Sequence, residues 1–340
     1  MIVSLMVKYG RIILILVLVV GLAVGYGVGY YVGLASVQSS RTLLIDAAGT
    51  LQVPFNSIVN NVVRSQYPTL SYNYIFEGSR LAANEITQAN KSFDIFASAD
   101  YRIIPQQLAP LHASWYIIFA SNAVAVVYTN HSRFANEINS NNWYQVITRP
   151  GVIVGVSNKE TDPSGSQAIF MLQLAGLLYY QNSSYLYIQL YVAKATKQEL
   201  IIVPTETTLD AQLETGAVDY VLTYSSEAIS HRLRYLSLDS KVDLSDLAQT
   251  DWYAKVNTTI NGKLVEGAPI LYDLTIPNDS PNVPMAIAFI KALFSPQGQD
   301  ILHASGLRPL NPVYVYNQSA VPADVIQAIM QSGITMKGIT

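Results

Sequence analysis

The chain has 340 residues, half of them apolar and only 13% charged, with a formal net charge of −3. That length can bury a sizeable core and hold two lobes or domains. There is no basic run or basic–aromatic stripe, which argues against nucleic acid as a partner. There is no cysteine, which excludes disulfides, thiolate metal sites and a lipidated cysteine anchor.

Lys8 and Arg11 precede an uncharged run from Ile12 to Val37. At about 1.5 Å per residue this run can span a bilayer. Positive charge before it would keep the N-terminus inside and place everything after Arg41 outside. A cleaved signal peptide, with Gly33-Leu34-Ala35 as a weak processing site, is the competing reading. The uncharged run continues past a normal signal core, which favours a retained anchor. Six N-x-S/T sequons, at Asn90, Asn130, Asn182, Asn257, Asn278 and Asn317, permit a glycosylated exterior without requiring one.

After the linker Gln38-Ser39-Ser40, strand-then-helix units follow one another. Thr42–Ile45 predicts a buried strand, and Leu51, Phe55, Ile58, Val59 and Val62 recur at helical spacing. Ser71–Phe76 and Phe93–Ala97 predict two more strands, ending at Glu77-Gly78-Ser79 and Ser98-Ala99-Asp100. Trp115–Ala120 and Ala123–Tyr128 resemble strands that leave one lobe and enter another. Val152–Val156 predicts a strand, Ser157–Asp162 a polar turn, and Pro163–Tyr180 a helix apolar nearly all round. Its first turn offers free N–H groups and the positive dipole end, which suits an anion. The plainer reading is a βα turn capped by Asp162 or Ser164. Leu200–Val203 predicts a short strand before Thr205-Glu206-Thr207, and Val218–Thr223 one ending at Tyr224. Asn261-Gly262 marks a hairpin within Val256–Val265. Ile270–Ile276 could return to the first lobe, and Pro284–Phe294 and Gln297–Ala304 predict helices. Alternating strands and helices imply a mostly parallel α/β sheet, with ligands outside the carboxyl ends of the strands.

Enzymatic signatures are poor. The four histidines are scattered, and there is no nucleophile elbow and no phosphate loop after a strand. Small, hydroxyl or acidic residues instead gather at predicted strand ends: Gly49-Thr50, Gly78-Ser79, Asp162, Glu206 and Tyr224. Each alone fits a helix cap or turn. Together they could hold a small oxyanion.

Ala48-Gly49-Thr50-Leu51, Glu77-Gly78-Ser79 and Ala99-Asp100-Tyr101-Arg102-Ile103-Ile104 carry a more specific likeness. So do Asn142-Trp143-Tyr144, Arg149-Pro150, Ser157-Asn158, Asp162-Pro163, Gly165 and Leu222-Thr223-Tyr224. With these residues the chain resembles the archaeal tungstate/molybdate-binding proteins of ABC importers, over about residues 42–312. The resemblance implies a two-lobed, type II periplasmic-binding-protein-like α/β fold with two hinge crossings. It also implies that Asp162 and Glu206 coordinate the Mo or W atom of the oxyanion, making it six-coordinate. Tyr224, Thr50 and Ser79 would donate hydrogen bonds to it. The chain departs from the family in two places. Thr50 replaces a serine, keeping the hydroxyl. Ser164-Gly165-Ser166-Gln167 replaces Cys-Gly-Tyr-Arg, removing a cation near the anion. A carboxylate about 4 Å from a dianion is repelled by several kcal/mol at intermediate dielectric. Two acids therefore make sense only as hard oxygen donors to a hard metal centre.

The expected organisation is an anchor or signal segment with its linker (1–41), lobe one (42–120 and 272–331), lobe two (121–271) and a tail (332–340). The hinge is expected near Ser121–Val127 and Ile270–Leu274. The expected function is capture of tungstate or molybdate at the extracellular face, by a monomer without cofactor, for an ABC permease and its ATPase. A sulfate, phosphate or organic-anion receptor is the main alternative, and a cell-surface hydrolase a more distant one.

Overall fold

The computed structural model describes residues 42–339. The segment read as a membrane span lies outside them. Among the described residues no helix is long and apolar enough to cross a membrane.

Two mixed sheets organise the chain. The first begins with three parallel strands, β1 (Thr42–Ala48), β2 (Ser71–Glu77) and β3 (Ile95–Ser98). β4 (Tyr116–Ser121) then leads the chain out to β5 (Val124–Tyr128) of the second sheet. That sheet continues with β6 (Val154–Ser157), β7 (Leu200–Val203), β8 (Tyr220–Tyr224) and β9 (Arg234–Leu236). A hairpin follows, β10 (Asn257–Ile260) and β11 (Lys263–Glu266), turning at Asn261-Gly262 with positive φ at both residues. β12 (Leu271–Thr275) then returns to the first sheet, which β13 (Arg308–Tyr316) and β14 (Met336–Ile339) complete.

The strand orders are β14-β13-β4-β12-β3-β1-β2 and β7-β6-β8-β5-β9. The parallel expectation needs correcting. β12 runs antiparallel to β3 and β4, β13 to β4, and β5 to β8 and β9. The crossings explain this. The chain leaves one sheet and comes back, so the strands beside the hinge enter in opposite senses. The stretch expected as a tail also has a role, since β14 pairs in parallel with β13.

Helix Pro163–Tyr180 is buried as far as Gly176 at every position but Gln173, because it packs between β6, β8 and the hairpin. This accounts for its lack of a polar stripe. In the first lobe, Phe55 on helix Gln52–Ile58 meets Phe289 on helix Val283–Phe294 edge to face, at 4.9 Å. That contact ties the first helix to one more than two hundred residues later.

β1 carries an unusual buried acid. Asp46 is fully buried and neither carboxylate oxygen has a hydrogen-bond partner. Burial, then the nearby Glu77 and Glu85 carboxylates, push its pKa from 3.8 up to about 8. The folded state therefore holds the Asp46 proton more tightly than the unfolded chain does. The resulting penalty on folding grows as pH rises from about 4 to about 8, by about 1.4 kcal/mol for each pH unit crossed, and is complete above that. Asp46→Asn is expected to raise the melting temperature by several degrees at about pH 9 and by clearly less at about pH 5. Equal gains at both pH values in calorimetric melts would show that Asp46 is ionised in the fold.

Candidate functional site

The carboxyl ends of β1, β2 and β3 face those of β6, β7 and β8 across a cleft, and every candidate residue sits on one of these ends. After β1 the chain tightens into a buried turn, Gly49–Leu51. Thr50 lies within it, and its Oγ1 is 2.9 Å from the Tyr272 hydroxyl. After β2, Gly78 caps helix Ser79–Thr87. The Ser79 Oγ accepts the Ala99 N–H at 3.0 Å, tying the ends of β2 and β3 together.

On the opposite lobe, Asp162 precedes helix Pro163–Tyr180. Its Oδ1 accepts the Ser164 N–H at 2.9 Å as an N-cap. Its Oδ2 accepts the Glu206 N–H, also at 2.9 Å. The capping role expected of Asp162 is thus present, but it occupies only one lone pair on each oxygen. Glu206 opens the turn before helix Leu209–Glu214 and is buried, with Oε2 unpartnered. Burial, then the adjacent Asp162 carboxylate, raise its pKa well above the usual range. Tyr224 ends β8, fully buried, with its hydroxyl likewise unpartnered. Its ring meets that of Tyr272 edge to face at 6.1 Å.

The two sets of strand ends touch. A Cβ on Gly49 would come within 2.8 Å of Glu206 Oε1. One on Gly78 would come within 2.6 Å of the Thr161 carbonyl oxygen and 2.9 Å of Asp162 Cβ. The Leu81 N–H donates to the same Thr161 carbonyl at 3.2 Å, and Arg102 Nη1 donates to the Glu266 carbonyl at 2.8 Å. The lobes are therefore closed, and Thr50, Ser79, Asp162, Glu206 and Tyr224 all lie at the closure.

Three further residues belong to the site that sequence reasoning did not single out. Asn122, at the first crossing, donates through Nδ2 to the Tyr272 hydroxyl at 2.9 Å and to Ser226 Oγ at 2.7 Å. Tyr272, at the second crossing, thus links Thr50 to Asn122. Arg80 is buried beside Ser79, and its Nη2 donates to Asp100 at 3.2 Å. Its Nη1 has no partner. Desolvation lowers the Arg80 pKa, while Asp100, Asp162 and Tyr224 favour its charged form. The cation expected to be lost near Gln167 therefore has a counterpart on the other lobe. A Gly-Ser-Arg run after a strand was the available signal. Arg80, Asp100 and Arg102, with Ile260, Lys263 and Val265 of the hairpin, line a groove of about 560 Å³ at the cleft edge.

Buried donors, Arg80 Nη1 and the Tyr224 hydroxyl, and a buried unpartnered acceptor, Glu206 Oε2, thus share one closed cleft. Leaving such groups unpaired costs about 1–3 kcal/mol each, more where they are charged. The arrangement suits a small, compact, polar solute that engages both lobes.

Known proteins share this architecture and sequence. Residues 43–308 match the model for "Bacterial extracellular solute-binding protein". An uncharacterized solute-binding protein of Petrotoga mobilis is 36% identical over 297 residues, covering 86% of this chain and 90% of the relative. The molybdate/tungstate-binding protein WtpA of Pyrococcus abyssi is 30% identical over 311 residues, covering 85% and 90%. Among solved structures, the periplasmic molybdate-binding protein of Azotobacter vinelandii superposes with a TM-score of 0.59 at 14% identity, over 79% of this chain and 99% of that one. The sulfate-binding protein SubI of Mycobacterium tuberculosis gives 0.53 at 15% identity, over 88% and 94%. Both likenesses speak to the two-lobed fold. With its two closed lobes and a family match over most of its length, the chain belongs to the bacterial extracellular solute-binding protein family.

Proposed function

We propose that this solute-binding protein captures molybdate or tungstate between its lobes, outside the cell, and hands it to an ABC permease driven by its ATPase. The observation that carries this reading is the Asp162–Glu206 pair in a buried cleft, joined by the Glu206 N–H. A receptor that only hydrogen-bonds a dianion gains nothing from two carboxylates, which repel it. Carboxylate oxygens can instead donate to the high-valent metal atom of the oxyanion, as hard donors to a hard acceptor. Asp162 and Glu206 would coordinate that atom. Thr50, Ser79 and Tyr224 would donate hydrogen bonds to its oxygens, and Arg80 would offset its charge. The WtpA relative, whose name specifies molybdate and tungstate, supports the same assignment. The relatives are binding proteins, which agrees with a carrier in which nothing is turned over. Lobe one would comprise 42–120 and 272–339, with β14 in its sheet, and lobe two 121–271, hinged at the crossings where Asn122 and Tyr272 meet. The segment 12–37 would hold a monomer at the extracellular face of the cell membrane.

Sulfate capture is the alternative, favoured by the SubI likeness in fold. It differs in sign. If both carboxylates coordinate the metal, Asp162→Asn and Glu206→Gln each weaken tungstate binding at least about tenfold; simple repulsion between acids and a dianion predicts unchanged or tighter binding. Sulfate should bind wild type poorly and lose less in the variants. Calorimetric titration with both anions, alongside melting curves, decides the matter. Tighter tungstate binding in the variants would return both acids to the role of helix caps.

Closure itself is testable at Gly78. Its φ of −62° and ψ of 131° suit any residue, so only the close approach of Thr161 and Asp162 demands glycine. Gly78→Ala should keep the melting transition and reduce tungstate affinity. In small-angle scattering, wild type should contract on adding tungstate and the variant should not. A full contraction in the variant would mean that the lobes meet differently.

A further inference from the structure

Behind Glu206 and Tyr224 lies a second polar cluster that oxyanion capture does not use. Asp210 sits on helix Leu209–Glu214, one turn after Glu206. Glu227 and His231 lie on and just beyond helix Ser225–Ser230, which follows Tyr224 directly. One ligand atom from each of the three lies within 4.8 Å of the others. His231 Nδ1 is 3.1 Å from Asp210 Oδ2, and His231 Nε2 is 3.4 Å from Glu227 Oε1. A tetrahedral zinc ion with ligand bonds of about 2.0–2.1 Å separates its ligands by about 3.3 Å. The two short spacings involve different ring nitrogens, so a single ion would take one of them and draw the three donor atoms together from within 4.8 Å.

A separate observation points to a ligand. Glu227 is buried, with only 4% of its side chain exposed, and its carboxyl group meets only the Asp210 carboxyl group and the His231 ring. Asp210 Oδ2 is also buried without a hydrogen bond. Two carboxyl groups are therefore packed together beside one imidazole, an arrangement that costs free energy unless a shared proton or a cation joins it. The His231 side chain is 40% exposed, so the ring can turn one nitrogen inward, and solvent can reach the centre.

We propose that Asp210, Glu227 and His231 form a binding site for a borderline divalent cation such as zinc, with water as the fourth ligand. One nitrogen and two carboxylate oxygens are the donor set of an open zinc site. An ion there would tie together the two helices that immediately follow Glu206 and Tyr224. Such a site is independent of which anion the cleft takes.

The test uses the full-length protein in detergent, stripped with chelator, and zinc alone as the probe. Zinc should raise the melting temperature by a few degrees and give a saturable calorimetric isotherm near one equivalent, in the absence of any oxyanion. His231→Ala, at a half-exposed position that leaves the fold intact, should weaken zinc binding at least about tenfold, and Asp210→Asn should do the same. Magnesium, which disfavours imidazole, should give no comparable shift. No zinc-dependent shift in wild type would overturn the site. So would an equal shift in both variants, which would place zinc on His112, His131 or His303. Magnesium binding as strongly as zinc would overturn the borderline-metal assignment.

Discussion

The contact between the Asp162 carboxylate and the Glu206 N–H, at 2.9 Å in a buried cleft, is the constraint on which the site depends. It fixes the end of β6 against the end of β7 and brings two acids together where ionising both is costly. Everything around it answers to that cost. Asp162 is anchored at a helix N-terminus, where the dipole favours its charge. Glu206 is held in the form that burial and its neighbour prefer. Arg80, on the other lobe, is held by Asp100 and keeps its charge partly through Asp162. An oxyanion with a metal centre would suit this site, because it accepts electron pairs at its centre while its oxygens accept hydrogen bonds at its rim.

The hinge and the site form one network. The chain crosses between sheets at Ser121–Ala123 and again before Leu271. At those crossings the Asn122 side chain bonds both Tyr272 and Ser226, while Tyr272 bonds Thr50. Groups that contact the cleft are thus the same groups that join the lobes. A solute held at Thr50 on one side and at Glu206 on the other would reward closure by its own contacts. This is the differential affinity that any ligand-driven domain closure requires.

Much of this was legible in the sequence because it is local. Strand ends followed by a small residue and a hydroxyl, or by an acid, placed Thr50, Ser79, Asp162, Glu206 and Tyr224. Their spatial meeting follows from the parallel runs β1–β3 and β6–β8. The rest was not legible, because it depends on partners distant in the chain. Thr50 and Tyr272 are separated by 222 positions and Asn122 and Tyr272 by 150, so no local pattern links them. Arg80 looks like an ordinary helix cation until its burial is seen. Pro309 and Pro312 hide β13 from period-two reading, and the sheet accommodates them with a register shift between Pro309 and Tyr314. The antiparallel insertion of β12 follows from the second crossing, whose direction a one-dimensional pattern does not encode.

The central claim is that carboxylate oxygens of the protein enter the coordination sphere of the captured metal. X-ray absorption at the tungsten edge, on the purified protein saturated with tungstate, reads that sphere directly. Direct coordination predicts loss of the tetrahedral signature of free tungstate and a second, longer shell of oxygen neighbours contributed by Asp162 and Glu206. A bound tungstate that keeps the tetrahedral spectrum of the free ion would contradict it.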